Sequence, residues 1–189
     1  MEALYTSTAV VALAEIGDKT QLLAILLATR FRAPVPIILG ILLATLANHF
    51  LAALVGVSAA NLLDGEWFRY IIAASFVLMG LWTLIPDKLD DLDDKPTRFG
   101  AFLATLIAFF LVEMGDKTQL ATIALGARFD QIIWVTAGTT LGMMLANVPA
   151  VFLGHELIER VPLNIVRFIA AALFVVIGVW LALQTAGWV

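Results

Sequence analysis

Glu15-Ile16-Gly17-Asp18-Lys19-Thr20-Gln21 and Glu113-Met114-Gly115-Asp116-Lys117-Thr118-Gln119 are one phrase written twice, 98 positions apart. The same offset pairs Arg30-Phe31 with Arg128-Phe129, Gly40 with Gly138 and Gly56 with Gly154. It also pairs Arg69-Tyr70-Ile71 with Arg167-Phe168-Ile169, and Phe76, Gly80 and Trp82 with Phe174, Gly178 and Trp180. Chance does not hold one offset over such a distance. Between the outer matches, Ala47-Asn48 meets Ala146-Asn147 at offset 99, so one residue has shifted within the second segment of a half. The chain is therefore read as a duplication, with halves at 1–86 and 99–189.

The background of the repeat is oily. Of 189 residues, 62% are hydrophobic and only 14% are charged, against about a quarter in an average soluble domain. Mean hydropathy is +0.99. A soluble fold of this size has too little interior to hide that much apolar surface. Membrane helices take roughly 20 apolar residues each. The apolar runs predict six, near 4–28, 35–57, 68–85, 99–127, 132–154 and 163–184. The expected fold is thus all-α, a single transmembrane domain with little chain left for a soluble catalytic or sensory unit. Pro34, Pro36 and Pro162 fall at span starts, where the missing N–H costs little. Pro149 falls inside the fifth span and predicts a kink. Trp67, Trp82, Trp134, Trp180 and Trp188 fit interfacial anchoring and packing. The first residues carry no Lys or Arg, so they read as a retained helix rather than a cleaved leader.

Three spans per half is an odd number. The second half must then cross the membrane in the opposite sense, an inverted-repeat architecture found in transporters, with its site near mid-depth. Arg30, Arg32, Lys88, Lys95, Arg98, Arg160 and Arg167 fall on one side, and Arg69 and Arg128 on the other. That asymmetry places the first side in the cytoplasm and both termini outside a cell membrane crossed many times. The linker at 87–98, rich in Asp, joins the halves on the cytoplasmic side. It reads as a solvated connection, and it lacks the turn glycine and closing glutamate of a calcium-binding EF-hand loop. A net charge of −4 leaves no basic footprint for nucleic acid. No cysteine is present, so thiolate metal sites and Cys nucleophiles are excluded. No serine triad, P-loop or nucleotide fingerprint occurs, which argues against an enzyme and against ATP-driven pumping. No cofactor is called for. Nothing in the sequence fixes an oligomeric state.

Glu15 and Glu113 each lie well inside a span, followed by Asp three residues on and Lys four residues on. On an unbroken helix that spacing stacks all three on one face. Each charge near the bilayer centre costs about 2.5–3.5 kcal/mol even on lenient scales, so six of them face each other, water or an ion. Gly17 and Gly115 let the motif helices pack closely or open locally. Two readings compete. In the first, Glu15–Lys19 and Glu113–Lys117 are salt bridges along single helices that only hold the bundle together. In the second, Glu15, Asp18, Glu113 and Asp116 form one shared cation site with Lys19 and Lys117 as counter-charges. Duplication at matching depth favours the second. Thr20, Thr118, Gln21 and Gln119 add neutral oxygens. Asn48, His49 and Asn147 lie inside spans and line the path, supply a metal ligand or bond between helices, with Asn48 and Asn147 counted among the candidate ligands. His155 and Glu156 mark a membrane edge. An all-oxygen set suits a hard divalent ion, Ca²⁺, Mn²⁺ or Mg²⁺, with Na⁺ or H⁺ coupling also open.

These two motifs resemble the paired Glu-x-Gly-Asp-Lys/Arg-Thr/Ser signature of the manganese exporter and Golgi calcium/manganese transporter family. The resemblance covers essentially the whole chain, including both three-span halves and the acidic linker. It implies a secondary transporter of Mn²⁺ or Ca²⁺ exchanging with protons, and for a chain of this length a manganese exporter of the cytoplasmic membrane. The signature positions it carries over are Glu15, Gly17, Asp18, Lys19 and Thr20, with Glu113, Gly115, Asp116, Lys117 and Thr118. The reading that follows is an Mn²⁺ exporter. A Ca²⁺/H⁺ exchanger is the alternative within transport, and a non-transporting scaffold the alternative outside it.

Overall fold

The computed structural model describes residues 1–63, 65–85, 100–154 and 162–188. The linker at 87–98, His155, Glu156, Lys88, Lys95, Arg98 and Arg160 lie outside these, so the expectations placed on them do too. The described residues form eight α-helices: α1 (Glu2–Glu15), α2 (Lys19–Phe31), α3 (Pro34–Leu62), α4 (Glu66–Thr83), α5 (Ala101–Glu113), α6 (Lys117–Phe129), α7 (Ile132–Leu153) and α8 (Leu163–Thr185). Three of them, α3, α7 and α8, are long and apolar enough to cross a membrane unaided. Helix α4 occupies the expected third span.

The expected first and fourth spans are not continuous helices, and this corrects the stacking of Glu, Asp and Lys on one helix face. Each is two helices in tandem, α1–α2 and α5–α6, interrupted inside the motif. The break has one geometry used twice. Ile16 and Met114 are extended, Gly17 and Gly115 both sit at φ +79°, and Asp18 and Asp116 are extended again before the next helix begins. A side chain in the left-handed region costs about 1–2 kcal/mol. Glycine removes that cost, which is why the helix can turn out of its path there. Both second pieces also end alike, with Arg32 at φ 49° and Asp130 at φ 52° closing the helix through a bond to the carbonyl four residues back.

Small residues set the packing, as they must where lipid supplies no hydrophobic drive between helices. Helices α4 and α8 run antiparallel with a reciprocal seam. A Cβ on Gly80 would lie 2.8 Å from the Ala171 carbonyl, and one on Gly178 would lie 2.7 Å from the Ala73 carbonyl. Phe76 and Phe174 meet in the middle of this seam at 6.3 Å between ring centroids. Gly40 on α3 lies against Phe102 and Thr105 of α5 just as Gly138 on α7 lies against Leu4 and Ser7 of α1. Large apolar side chains such as Leu46, Phe50 and Leu54 on α3, and Val176, Val179 and Trp180 on α8, are turned outward. Outward faces this apolar fit lipid as solvent.

Candidate metal centre

The interruptions place polar ends of four helices at one level. Helices α2 and α6 begin at Asp18 and Asp116, while α1 and α5 end at Glu15 and Glu113. Helix starts carry partial positive charge and helix ends partial negative charge, so the breaks themselves supply backbone dipoles to the centre. His49, in the middle of the 29-residue α3, lies at the same level as Glu113, which puts the centre halfway along the longest helix.

Charge pairing crosses between the halves. Lys19 Nζ is 2.8 Å from Asp116 Oδ1, and Lys117 Nζ is 3.6 Å from Asp18 Oδ1. Each lysine thus sits on the aspartate of the other motif. The intrahelical Glu15–Lys19 and Glu113–Lys117 bridges weighed from the sequence do not occur, because the break separates each glutamate from its lysine. Lys117 is buried and also reaches the Ile85 carbonyl at 3.5 Å, whereas the Lys19 side chain is 25% exposed.

Glu15, Glu113 and Asp116 each bring a carboxylate oxygen within 4.8 Å of the others, all three buried. Asp18 is outside this group, beside Lys117. Thr20 donates its hydroxyl to Glu15 Oε2, and Thr118 donates to Glu113 Oε1 at 2.6 Å. Glu15 Oε1 and Glu113 Oε2 are buried with no hydrogen-bond partner among the described residues. Buried acceptors left open are costly unless something else fills them, and a cation fits that need.

The glutamines act on the breaks. Gln21 Oε1 accepts the Gly17 N–H at 2.8 Å, and Gln119 Oε1 accepts the Gly115 N–H at 2.7 Å. Gln21 Nε2 then donates to the Ala146 carbonyl at 3.0 Å. Gln119 Nε2 donates to Asn48 Oδ1 at 2.8 Å, and Asn48 Nδ2 to the Phe110 carbonyl at 3.1 Å. These amides fasten each break to the neighbouring long helix, so their oxygens are already in use as acceptors. Asn147 donates to the Met143 carbonyl, and its Oδ1 is buried without a partner among the described residues. Sequence reasoning passed over the buried hydroxyls of Ser7, Thr45, Thr136 and Thr140, which also have no partner among the described residues. Their signal was simply a polar residue inside an apolar span.

Of the two uses weighed for the glycines, opening of the helix is the one seen. A Cβ on Gly115 would meet nothing within 4 Å among the described residues, while one on Gly17 would meet Leu163 at 2.8 Å. Gly115→Ala is therefore expected to carry only the backbone strain, about 1–2 kcal/mol, and Gly17→Ala that strain plus displacement of Leu163. Thermal unfolding in detergent should rank Gly17→Ala below Gly115→Ala, and the reverse order would contradict these surroundings.

Acid clusters buried between apolar helices and crossed by lysines define a membrane protein that handles cations. The profile of the divalent cation/proton antiporter GDT1 family matches residues 3–91 and 101–188, and the chain belongs to that family. It is 52% identical over 187 residues to a Vibrio cholerae protein named "Putative manganese exporter", covering 98% of this chain and 91% of that one. It is also 28% identical to GDT1-like protein 5 of Arabidopsis thaliana, covering 95% and 94%. To GDT1-like protein 3 of indica rice it is 30% identical, covering 92% and 71%. No solved structure matches the chain.

Proposed function

We propose that the chain exports divalent cations, Mn²⁺ foremost, in exchange for protons, through one site shared by both motifs. The observation that carries this reading is the crossed pairing: each lysine neutralises the aspartate of the opposite motif. Four carboxylates and two ammonium groups sum to a formal −2. One divalent cation brings the cluster to zero, and so do two protons. Because buried net charge is expensive, that equivalence is a reason for one to replace the other. Glu15, Glu113 and Asp116 hold the ion. Lys19 guards the empty site and withdraws toward solvent when the cation takes Asp116, which its partial exposure permits. Lys117 stays with Asp18.

Six spans in two inverted halves, 1–86 and 99–189, accommodate this chemistry, with each broken pair counted as one span. The antiparallel α4–α8 seam supports that reading. The two ends of the bundle differ. Helix α4 lies on α6 and α1 on α8, but the equivalent pairs, α8 with α2 and α4 with α5, are not packed to a comparable extent. Gly56 lies against Ile123 and Ala127 of α6, while its counterpart Gly154 meets nothing within 4 Å among the described residues. Met114 and Gly115 are exposed. We read this as a carrier whose helices, among the described residues, pack more closely at the α1–α6 end than at the α2–α5 end, the cytoplasmic one. Both termini then lie outside the cell membrane.

Flux into proteoliposomes, comparing Mn²⁺, Ca²⁺, Mg²⁺ and Zn²⁺ under an imposed pH gradient, tests the function. Metal movement that ignores the gradient would remove the proton from the scheme, and no movement of any metal would favour the scaffold. For orientation, a reporter that fluoresces only in the cytoplasm should stay dark when fused to the C-terminus.

A further inference from the structure

The two motifs match, but their surroundings do not. His49 follows Asn48 on α3, and Val148 follows Asn147 on α7. At this position one half carries an imidazole and the other a valine. His49 is fully buried, its Nε2 lies 3.4 Å from Glu113 Oε1, and its Nδ1 has no hydrogen-bond partner among the described residues. Glu113 Oε1 also accepts from Thr118. As the Nε2–H tautomer, His49 supplies a second donor to that one oxygen. A carboxylate oxygen has two lone-pair sites, and both are then occupied. Glu113 is left with Oε2, buried and open, as its one metal-facing atom. Glu15 accepts from Thr20 at Oε2, and its Oε1 is buried with no hydrogen-bond partner among the described residues.

We propose that His49 is a specificity-determining positioning residue, which confines Glu113 to one-oxygen ligation and so favours Mn²⁺ over Ca²⁺. This rests on the cation-site reading above. Ca²⁺ seeks six to eight oxygens and commonly takes both oxygens of a carboxylate. Mn²⁺ is smaller and is satisfied by an octahedral set. Tying up one oxygen removes a ligand that Ca²⁺ needs and Mn²⁺ does not. The duplicated chain can place this imidazole beside one glutamate alone, since Val148 stands where the other half would carry it.

The test is calorimetric binding of Mn²⁺ and of Ca²⁺, measured separately, to the purified full chain and to His49→Val and His49→Gln. His49→Val writes the Val148 environment into the first half and removes the donor. It is expected to lower the Mn²⁺:Ca²⁺ affinity ratio about tenfold, the scale of one hydrogen bond to a charged group, mainly by tightening Ca²⁺. His49→Gln restores an N–H donor and should hold the ratio near that of the unaltered chain. If His49→Val does not fold, His49→Met fills the space without a donor and serves instead. An unchanged ratio in the donor-less variant overturns the proposal. So does equal weakening of both metals in donor-less and Gln variants, which marks a packing role. If the unaltered chain binds neither metal, the cation-site reading itself has failed, and that result is distinct from either.

Discussion

Glu15→Gln and Asp116→Asn are each expected to reduce metal transport to near background, and the double variant is expected to be no worse than either single one. The reason is geometric. Glu15 belongs to the first motif and Asp116 to the second, yet their oxygens lie within 4.8 Å of each other, together with Glu113. If they hold one ion, as proposed, removing either deletes a ligand from a shared centre, and groups acting on one centre lose additivity. The amide replacements keep size and some hydrogen bonding, so the loss reads the charge rather than the packing. Metal binding should fall from one ion per chain toward none in both single variants. Two ions on the unaltered chain, with each variant losing only its own, would divide the centre into two independent sites.

Lys117→Ala is expected to be the most destabilising single change at the centre. Its ammonium and the Asp18 carboxylate are both buried, with side chains 5% and 4% exposed. Removing one partner of a buried pair costs roughly 3–5 kcal/mol, because a charge is left behind in the apolar interior. Adding Asp18→Asn should recover most of that stability, since the abandoned charge goes too. Lys19→Ala should cost less, because this ammonium is partly solvated and water replaces it. Thermal unfolding of these three variants and the parent in one detergent decides the order. A Lys117→Ala chain as stable as the parent would mean that Asp18 does not depend on that lysine.

Much of this was legible in the residues. The duplicated phrase announced two stretches of like geometry, the composition announced long apolar helices, and the depth of Glu15 and Glu113 announced a buried polar centre. The interruption of the spans was not legible. Glu, Asp and Lys at spacings of three and four fit one face of an unbroken helix, and a glycine between them is tolerated in a helix as readily as it starts a break. Only Gln21 and Gln119, each four residues beyond its glycine and bonded to its N–H, make the break the preferred form. The crossing of Lys19 to Asp116 was equally hidden, since nothing local distinguishes a partner four residues away from one nearly a hundred away. Asn48 and Asn147 looked like equals one residue out of step. Their bonds differ because Gln21 turns to the Ala146 backbone where Gln119 turns to Asn48.

The seam between α4 and α8 has the self-complementarity of a homodimer. Gly80 rests on Ala171, Gly178 rests on Ala73, and Phe76 meets Phe174, so each half carries both sides of its own lock. Such an isologous surface is what two copies of an unfused ancestor would use to find each other. Fusion then changes what mutation can reach. In a dimer of identical subunits every substitution appears twice. In one chain a histidine can enter a single copy, and symmetry becomes a starting condition from which the two sides of an ion's surroundings evolve apart.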